Sequence, residues 1–139
     1  MINIHLLLYS GSYDRKICVD MKFPAVPRIG DLVCLSKNKE AELVRKLLAN
    51  RRTMNYYRCW LVGLKTDDIS LNIEDACKVK EIDWWPADDG ESMECYLTLA
   101  SPEEMARNIP NITEDQYLLA KKNTCRLYGI EEPDPQEDR

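Results

Sequence analysis

The chain has 139 residues, of which 45% are hydrophobic and 31% are charged, and its formal net charge is −5 at pH 7. This composition is typical of one soluble globular domain, which needs no disulfide or metal ion for its stability. No apolar run reaches the length of a membrane span, and residues 1–5 lack the basic region of a signal peptide. We therefore expect a cytoplasmic protein without a membrane partner.

Most of the negative charge lies at the C-terminus. Residues 131–139 hold five acids and one arginine, together with two prolines and no apolar residue. A segment of this kind cannot bury enough apolar surface to fold. We predict a single domain over residues 1–130 and a disordered acidic tail over 131–139.

Apolar residues alternate with polar ones over residues 2–8 and again over 17–23, which predicts two strands with one buried face each. A third, short strand is expected at Leu32–Leu35. The apolar spacing then changes to that of a helix, so we predict an inserted helix over about 39–52. Aromatic and β-branched residues predict a fourth strand over Tyr56–Leu64.

The clearest strand signal lies in residues 77–99, where apolar alternation flanks an Asp-Gly turn. This arrangement is typical of an antiparallel hairpin, and we expect Trp85 to face Ser92 across it. Successive residues of a strand point to opposite faces. Trp84 is therefore predicted to face the core and Trp85 to face outward.

In that hairpin, one face stays apolar only if an extra residue is inserted near its start. We predict a β-bulge at Lys80/Glu81. The same register places Tyr96 on the outward face, beside Trp85.

Two capping motifs predict helices near the C-terminus. Ser101 and the Pro-Glu-Glu that follows it indicate a helix over about 102–108. Thr113 opens a second capping box, for a helix over about 114–128 that Gly129 would end. The predicted fold is α+β: a small antiparallel β-barrel or strongly curved sheet of five to six strands, with one inserted helix and two C-terminal helices.

The stretch Pro27-Arg-Ile-Gly-Asp-Leu-Val33 resembles the Pro-x-x-Gly-Asp-x-Val sequence that often leads into the first barrel strand of SH3-like domains. The bulged hairpin of residues 77–99 is similar in pattern to that family. A helix after Leu35 departs from it, because such barrels usually carry a loop there. The resemblance implies a domain that binds peptides, nucleic acid or a partner subunit and seldom catalyses.

The cysteines and the histidine suggest no catalytic or metal site. The six cysteines stand singly, without the paired spacing of a zinc site, and five fall in predicted strands, where we expect reduced thiols. The single histidine, His5, lies on the less apolar face of the first strand, and the outward Cys18 is its nearest candidate nucleophile. A histidine at a sheet surface is the simpler interpretation. We predict no enzyme, no metal and no cofactor.

The hairpin supplies the first candidate binding surface. Trp85, Pro86 and Tyr96 would form an apolar patch, and tryptophan and tyrosine are enriched at protein–protein hot spots. Alternatively, the C-terminal helix or the hairpin's own loop covers Trp85. Our first hypothesis is a non-enzymatic module that binds another protein.

Residues 37–58 supply the second candidate, because they hold seven lysines and arginines against two glutamates. Cations beside stacking aromatics are what single-stranded nucleic acid requires. The alternative hypothesis is therefore a nucleic-acid-binding accessory protein, although a solvated helix face would explain the same charges. An enzyme of unknown class is the third. The candidate nucleic-acid-binding residues are Arg45, Arg51, Arg52, Tyr56 and Arg58.

Overall fold

The computed structural model describes residues 1–9, 16–73, 78–99 and 108–133, and over these ranges it shows an α+β fold. The strands are β1 (Ile2–Tyr9), β2 (Lys16–Phe23), β3 (Leu61–Val62), β4 (Ser70–Leu71), β5 (Val79–Pro86) and β6 (Met93–Leu99). The α-helices are α1 (Lys37–Leu47), α2 (Arg51–Tyr56) and α3 (Glu114–Tyr128), and a 3-10 helix spans Arg58–Trp60. No helix in these ranges is long and apolar enough to cross a membrane.

A four-stranded sheet in the order β2-β1-β6-β5 forms the centre of the fold, and β3 and β4 pair separately. The expected antiparallel arrangement is wrong at one pair, because β1 runs parallel to β6, with Ile4 opposite Cys95. Parallel neighbours need a long crossover connection, and here that connection contains the helices α1 and α2. No pairing in the described residues joins β2 to β5, so the predicted barrel is not confirmed.

The sheet buries one of its faces. Its alternate residues, such as Leu6, Val19 and Leu97, are at most 2% exposed and belong to a core that α1 and α3 also enter. Strand period then places the intervening residues on the opposite side, which we call the outer face. His5 of β1 lies on this outer face, between Asp20 of β2 and Tyr96 of β6.

The β5–β6 hairpin confirms the predicted bulge, since its register shifts between Val79 and Glu81. The predicted pairing is wrong by two residues, because Trp85 lies opposite Glu94. The turn has the expected six residues but lies one position further along the chain, at 87–92, where the Ala87 amide donates to the Ser92 carbonyl at 2.9 Å. Because side chains alternate between faces, a register shift of two residues leaves every side chain on its predicted face.

The segment between the two halves of the sheet differs from the predicted helix 39–52 and strand 56–64. The helix is broken into α1 and α2, because the Asn50 side chain accepts from the Thr53 amide at 2.7 Å and starts a new helix. The strand is reduced to β3. Tyr57 and Trp60 stack with ring centroids 4.5 Å apart. A helical turn permits this contact, whereas a strand would send residues three apart to opposite faces.

The third predicted strand, 32–35, is reduced to a single bridge between Leu32 and Lys78. The predicted helix 114–128 is confirmed as α3, with a complete capping box at Thr113 and a left-handed Gly129 at φ 64°. The predicted helix 102–108 lies outside the described residues, apart from its last residue. Of the predicted tail, residues 131–133 have no regular structure and the others lie outside the described ranges.

Candidate functional site

Two neighbouring groups of residues stand out on the sheet. The first, which we call the outer-face cluster, consists of polar or titratable side chains on three adjacent strands: His5, Cys18, Asp20, Glu94 and Tyr96. The second, the hairpin end, consists of exposed apolar residues where β5 stops and β6 starts: Trp84, Trp85, Pro86 and Met93. They share a depression of about 420 Å³, lined by Ile2, Asn3, His5, Asp20, Trp84, Ser92, Met93 and Glu94.

Strand pairing assembles the outer-face cluster. Asp20 lies directly across from His5 on the antiparallel side, and Tyr96 lies across from it on the parallel side. Cys18 and Glu94 are each two residues from these partners along their strands, so the two-residue period returns them to the same face. The other four side chains therefore lie on the same face as the His5 imidazole and around it.

Both ring nitrogens of His5 face a carboxylate. Nδ1 lies 2.5 Å from Oδ1 of Asp20, and Nε2 lies 3.6 Å from Oε2 of Glu94. Tyr96 stacks on the imidazole with ring centroids 4.6 Å apart, and its hydroxyl donates to Glu94 at 2.9 Å. These contacts fix the orientation of the histidine ring.

Cys18 is not activated as a nucleophile. Its thiol donates to Oδ1 of Asp20 at 3.4 Å. Burial, followed by the charge of Asp20, raises the pKa of Cys18 from 9.0 to about 11, so the thiol is protonated at neutral pH. Burial alone would raise the pKa of Asp20, but the hydrogen bonds from His5 and Cys18 outweigh it and hold that pKa below its ordinary value. The arrangement is a shared carboxylate rather than a thiolate–imidazole pair.

The hairpin end is exposed on both faces of β5. Trp84, on the core face opposite Cys95, is 49% exposed, and Trp85 is 59% exposed. Trp84 lies on the predicted core face but is half exposed there, because it is near the end of an edge strand. Neither α3 nor the 87–92 turn covers Trp85. Tyr96 is half-buried and stacks on His5, so the three predicted protein-binding residues divide between the two groups.

The sequence on both sides of the hairpin end is acidic. Residues 81–94 contain no lysine or arginine. They contain six acids: Glu81, Asp83, Asp88, Asp89, Glu91 and Glu94. All of these are exposed except the half-buried Glu94. A ligand of the hairpin end therefore meets an apolar centre with a negative rim.

Asp89 organises the turn beneath this surface. Its carboxylate accepts from the Ser92 hydroxyl at 2.6 Å and from the amides of Ser92 and Glu91 at 2.9 Å. These hydrogen bonds, the Ser92 hydroxyl first, lower the pKa of Asp89 from 3.8 to about 2. The turn is thus preorganised while that carboxyl is ionised.

Several residues predicted to bind nucleic acid have structural roles. Arg51 donates to the Ile112 carbonyl at 3.0 Å, and Arg58 donates to the Ile109 carbonyl at 2.6 Å. Tyr56 is half-buried and packs edge-on against Tyr57, with centroids 5.1 Å apart. The other two candidates, Arg45 and Arg52, are exposed. Nucleic-acid binding through residues 37–58 stays a prediction.

The sequence indicated part of the outer-face cluster. Alternation placed His5 outward on the first strand and both Cys18 and Asp20 outward on the second. Glu94 and Tyr96 could not be joined to them, because that requires the parallel pairing of β1 with β6. Comparisons of the chain with protein-family models, with curated proteins and with solved structures found no match. The SH3-like resemblance therefore stays a prediction.

Proposed function

We propose that this protein is a non-enzymatic binding module that captures a basic segment of a partner protein at its hairpin end. One observation carries the proposal. Two adjacent tryptophans, both about half exposed, lie in a stretch of residues 81–94 that has six acids and no cation.

The exposed indoles provide the energy for such binding. A tryptophan side chain buries about 150–250 Å² when fully covered. Covering the exposed half of one indole would contribute roughly 2 kcal/mol, before the cost of ordering the partner. Because Trp84 and Trp85 point to opposite faces, a ligand that contacts both must wrap around the free edge of β5 rather than lie flat on one side.

The free edge of β5 suits an extended ligand. β5 is the last strand of the sheet order, and its start is covered by residues 30–31, which exchange backbone hydrogen bonds with Val79 at 2.8 and 2.9 Å. Beyond that point no described strand pairs with this edge. Backbone pairing at an open edge is a common route by which a domain binds an extended peptide.

The acidic rim determines which peptide fits. Lysine or arginine side chains could pair with the exposed carboxylates of residues 81–94, and the indole faces offer a cation–π contact. An acidic peptide would be repelled by the same groups. The function is therefore selective for charge as well as for extended conformation.

Peptide titration tests this function. A 12-residue peptide that alternates arginine with leucine is titrated into the protein by calorimetry, beside a peptide with glutamate in place of each arginine. We expect binding of the basic peptide alone, weakened at least tenfold by Trp85→Ala and by added salt. Leu127→Ala is the matched control, because Leu127 is 71% exposed on α3, away from the hairpin. Equal binding of the two peptides, or wild-type affinity in Trp85→Ala, would contradict the proposal.

A further inference from the structure

We propose that the outer-face cluster is a binding site for a divalent transition-metal ion of the zinc class. Its protein ligands would be Nδ1 of His5, Sγ of Cys18 and a carboxylate oxygen of Asp20. This site borders the hairpin end within the shared depression, but the two proposals rest on different observations and neither depends on the other.

The three donor atoms are already close enough to share an ion. They all lie within 4.8 Å of one another, with the Asp20 oxygen 2.5 Å from Nδ1 of His5 and 3.4 Å from Sγ of Cys18. Zinc bonds of about 2.0–2.3 Å imply ligand separations of about 3.3–3.7 Å in a tetrahedron. Seating the ion therefore needs the Asp20 carboxylate to retreat by about 1 Å. Its side chain is 66% exposed and has room to rotate.

The chemistry of the donor set selects the class of ion. One imidazole nitrogen, one thiolate sulfur and one carboxylate oxygen form a mixed set that zinc and its first-row neighbours accept. Calcium and magnesium require sites made of oxygen. Three protein ligands leave a fourth position to water or to a group from a ligand. The ion displaces two protons from the atoms it binds: the Cys18 thiol proton leaves to solvent, and the Nδ1 proton of His5 is exchanged through solvent for one on Nε2, so the imidazole stays neutral.

Glu94 and Tyr96 surround the His5 ring in a way that would support its role as a metal ligand. Histidines that bind metals usually donate their other ring N–H to a carboxylate, which fixes the tautomer and the ring orientation. In the outer-face cluster, Nε2 of His5 faces Glu94 at 3.6 Å, and Glu94 is held in turn by the Tyr96 hydroxyl at 2.9 Å. Tyr96 also stacks on the ring. Nδ1 is the ring nitrogen beside Asp20, so it is the one that would bind the ion, which leaves Nε2 to donate toward Glu94.

The ligands are also carried by a rigid part of the fold. His5 and Asp20 are directly paired residues of β1 and β2, and Cys18 lies one pleat further along β2. An ion bound here therefore needs only side-chain rotation and no movement of a strand.

Cobalt(II) absorption spectroscopy tests the site, because a cobalt–thiolate bond gives a charge-transfer band in the near ultraviolet and tetrahedral cobalt gives strong visible bands. The full chain, kept reduced with a phosphine, is titrated with Co²⁺. We expect one equivalent to bind with a thiolate band that added Zn²⁺ abolishes. Cys18→Ser should remove the thiolate band, and His5→Gln should weaken binding at least tenfold. Cys34→Ser is the matched control, since Cys34 is an exposed free cysteine outside the cluster.

Two more variants keep the proposal falsifiable if one substitution disturbs folding, which circular dichroism would show. Asp20→Asn preserves size and should weaken Co²⁺ binding at least tenfold. Glu94→Gln should weaken it by roughly 10–100-fold without changing the spectrum, as expected of a positioning residue. The proposal is overturned if wild-type protein shows no thiolate band, or if the band survives in Cys18→Ser.

Discussion

Two aromatic pairs in this protein differ in their solvent exposure. Tyr57 and Trp60 are buried and stacked, whereas Trp84 and Trp85 are each about half exposed. The difference lies in the backbone rather than in the side chains. Residues three apart on a helical turn share one side, so both rings enter the core, while neighbours on a strand are split between two faces. Exposure of the second pair is thus imposed by the strand and by its position at the sheet edge.

The largest effect should come from removing one indole of the buried pair. Trp60→Ala leaves a cavity beside Tyr57, and we expect the free energy of unfolding to fall by about 3–5 kcal/mol. Trp85→Ala is the matched change at the exposed pair and should alter it by less than about 0.5 kcal/mol. Urea denaturation measures both. A large loss of unfolding free energy in Trp85→Ala would mean that this indole stabilises the fold and is not held free for a partner.

A smaller loss of stability is expected from a substitution near the buried pair, compared with one at an exposed position of α1. Arg58, two residues before Trp60, donates to the Ile109 carbonyl at 2.6 Å and to the Asn55 carbonyl at 2.9 Å. Arg58→Ala should lower the free energy of unfolding by about 1–3 kcal/mol, because part-buried carbonyls lose a charged donor. Arg45→Ala, at an exposed position of α1, should change it by less than about 0.5 kcal/mol. Equal effects in thermal denaturation would show that these hydrogen bonds do not hold the 109–112 segment.

The smallest effect concerns the turn beneath the exposed pair. The pKa of Asp89 is lowered to about 2, so its stabilising contribution is complete above the unfolded-state pKa of about 4. That contribution is lost as the pH falls through about 2. We expect the amide signals of Glu91 and Ser92 to titrate over this window in NMR spectra. Asp89→Asn should abolish the titration, and its persistence in that variant would assign it to another carboxyl.

Local signals in the sequence predicted local structure well. The Thr113 capping box and Gly129 defined α3, and the apolar faces of the hairpin located the bulge near residue 80. Two features were not predictable in this way: the helical turns of residues 51–60, and the long-range pairing of the strands. Residues 56–64 have the composition of a strand. The stacking of Tyr57 on Trp60 and the cap at Asn50 nevertheless favour helical turns.

The candidate sites were likewise predictable where they depend on local alternation and not where they depend on long-range strand pairing. Period-two alternation was enough to place Trp85 outward and to put His5 and Cys18 on one face. The position of Glu94 in the outer-face cluster, and the exposure of Trp84, depend on which strands are neighbours and which strand is at the edge. No short stretch of sequence contains that information, because the pairing of Ile4 with Cys95 joins residues about 90 positions apart.

This parallel pairing also has a consequence for how the protein folds. β1 and β2 can close as a hairpin early, but one edge of β1 then stays open until β6 emerges and docks against it. Bringing β6 to β1 closes a long loop, and its entropy is lost before the strands form stabilising contacts. Docking of the β5–β6 hairpin should therefore limit the folding rate. Until then the apolar side chains of β1 are exposed beside an unpaired edge, which is the arrangement most prone to aggregation. The central strand of the sheet is therefore also its most vulnerable element during synthesis.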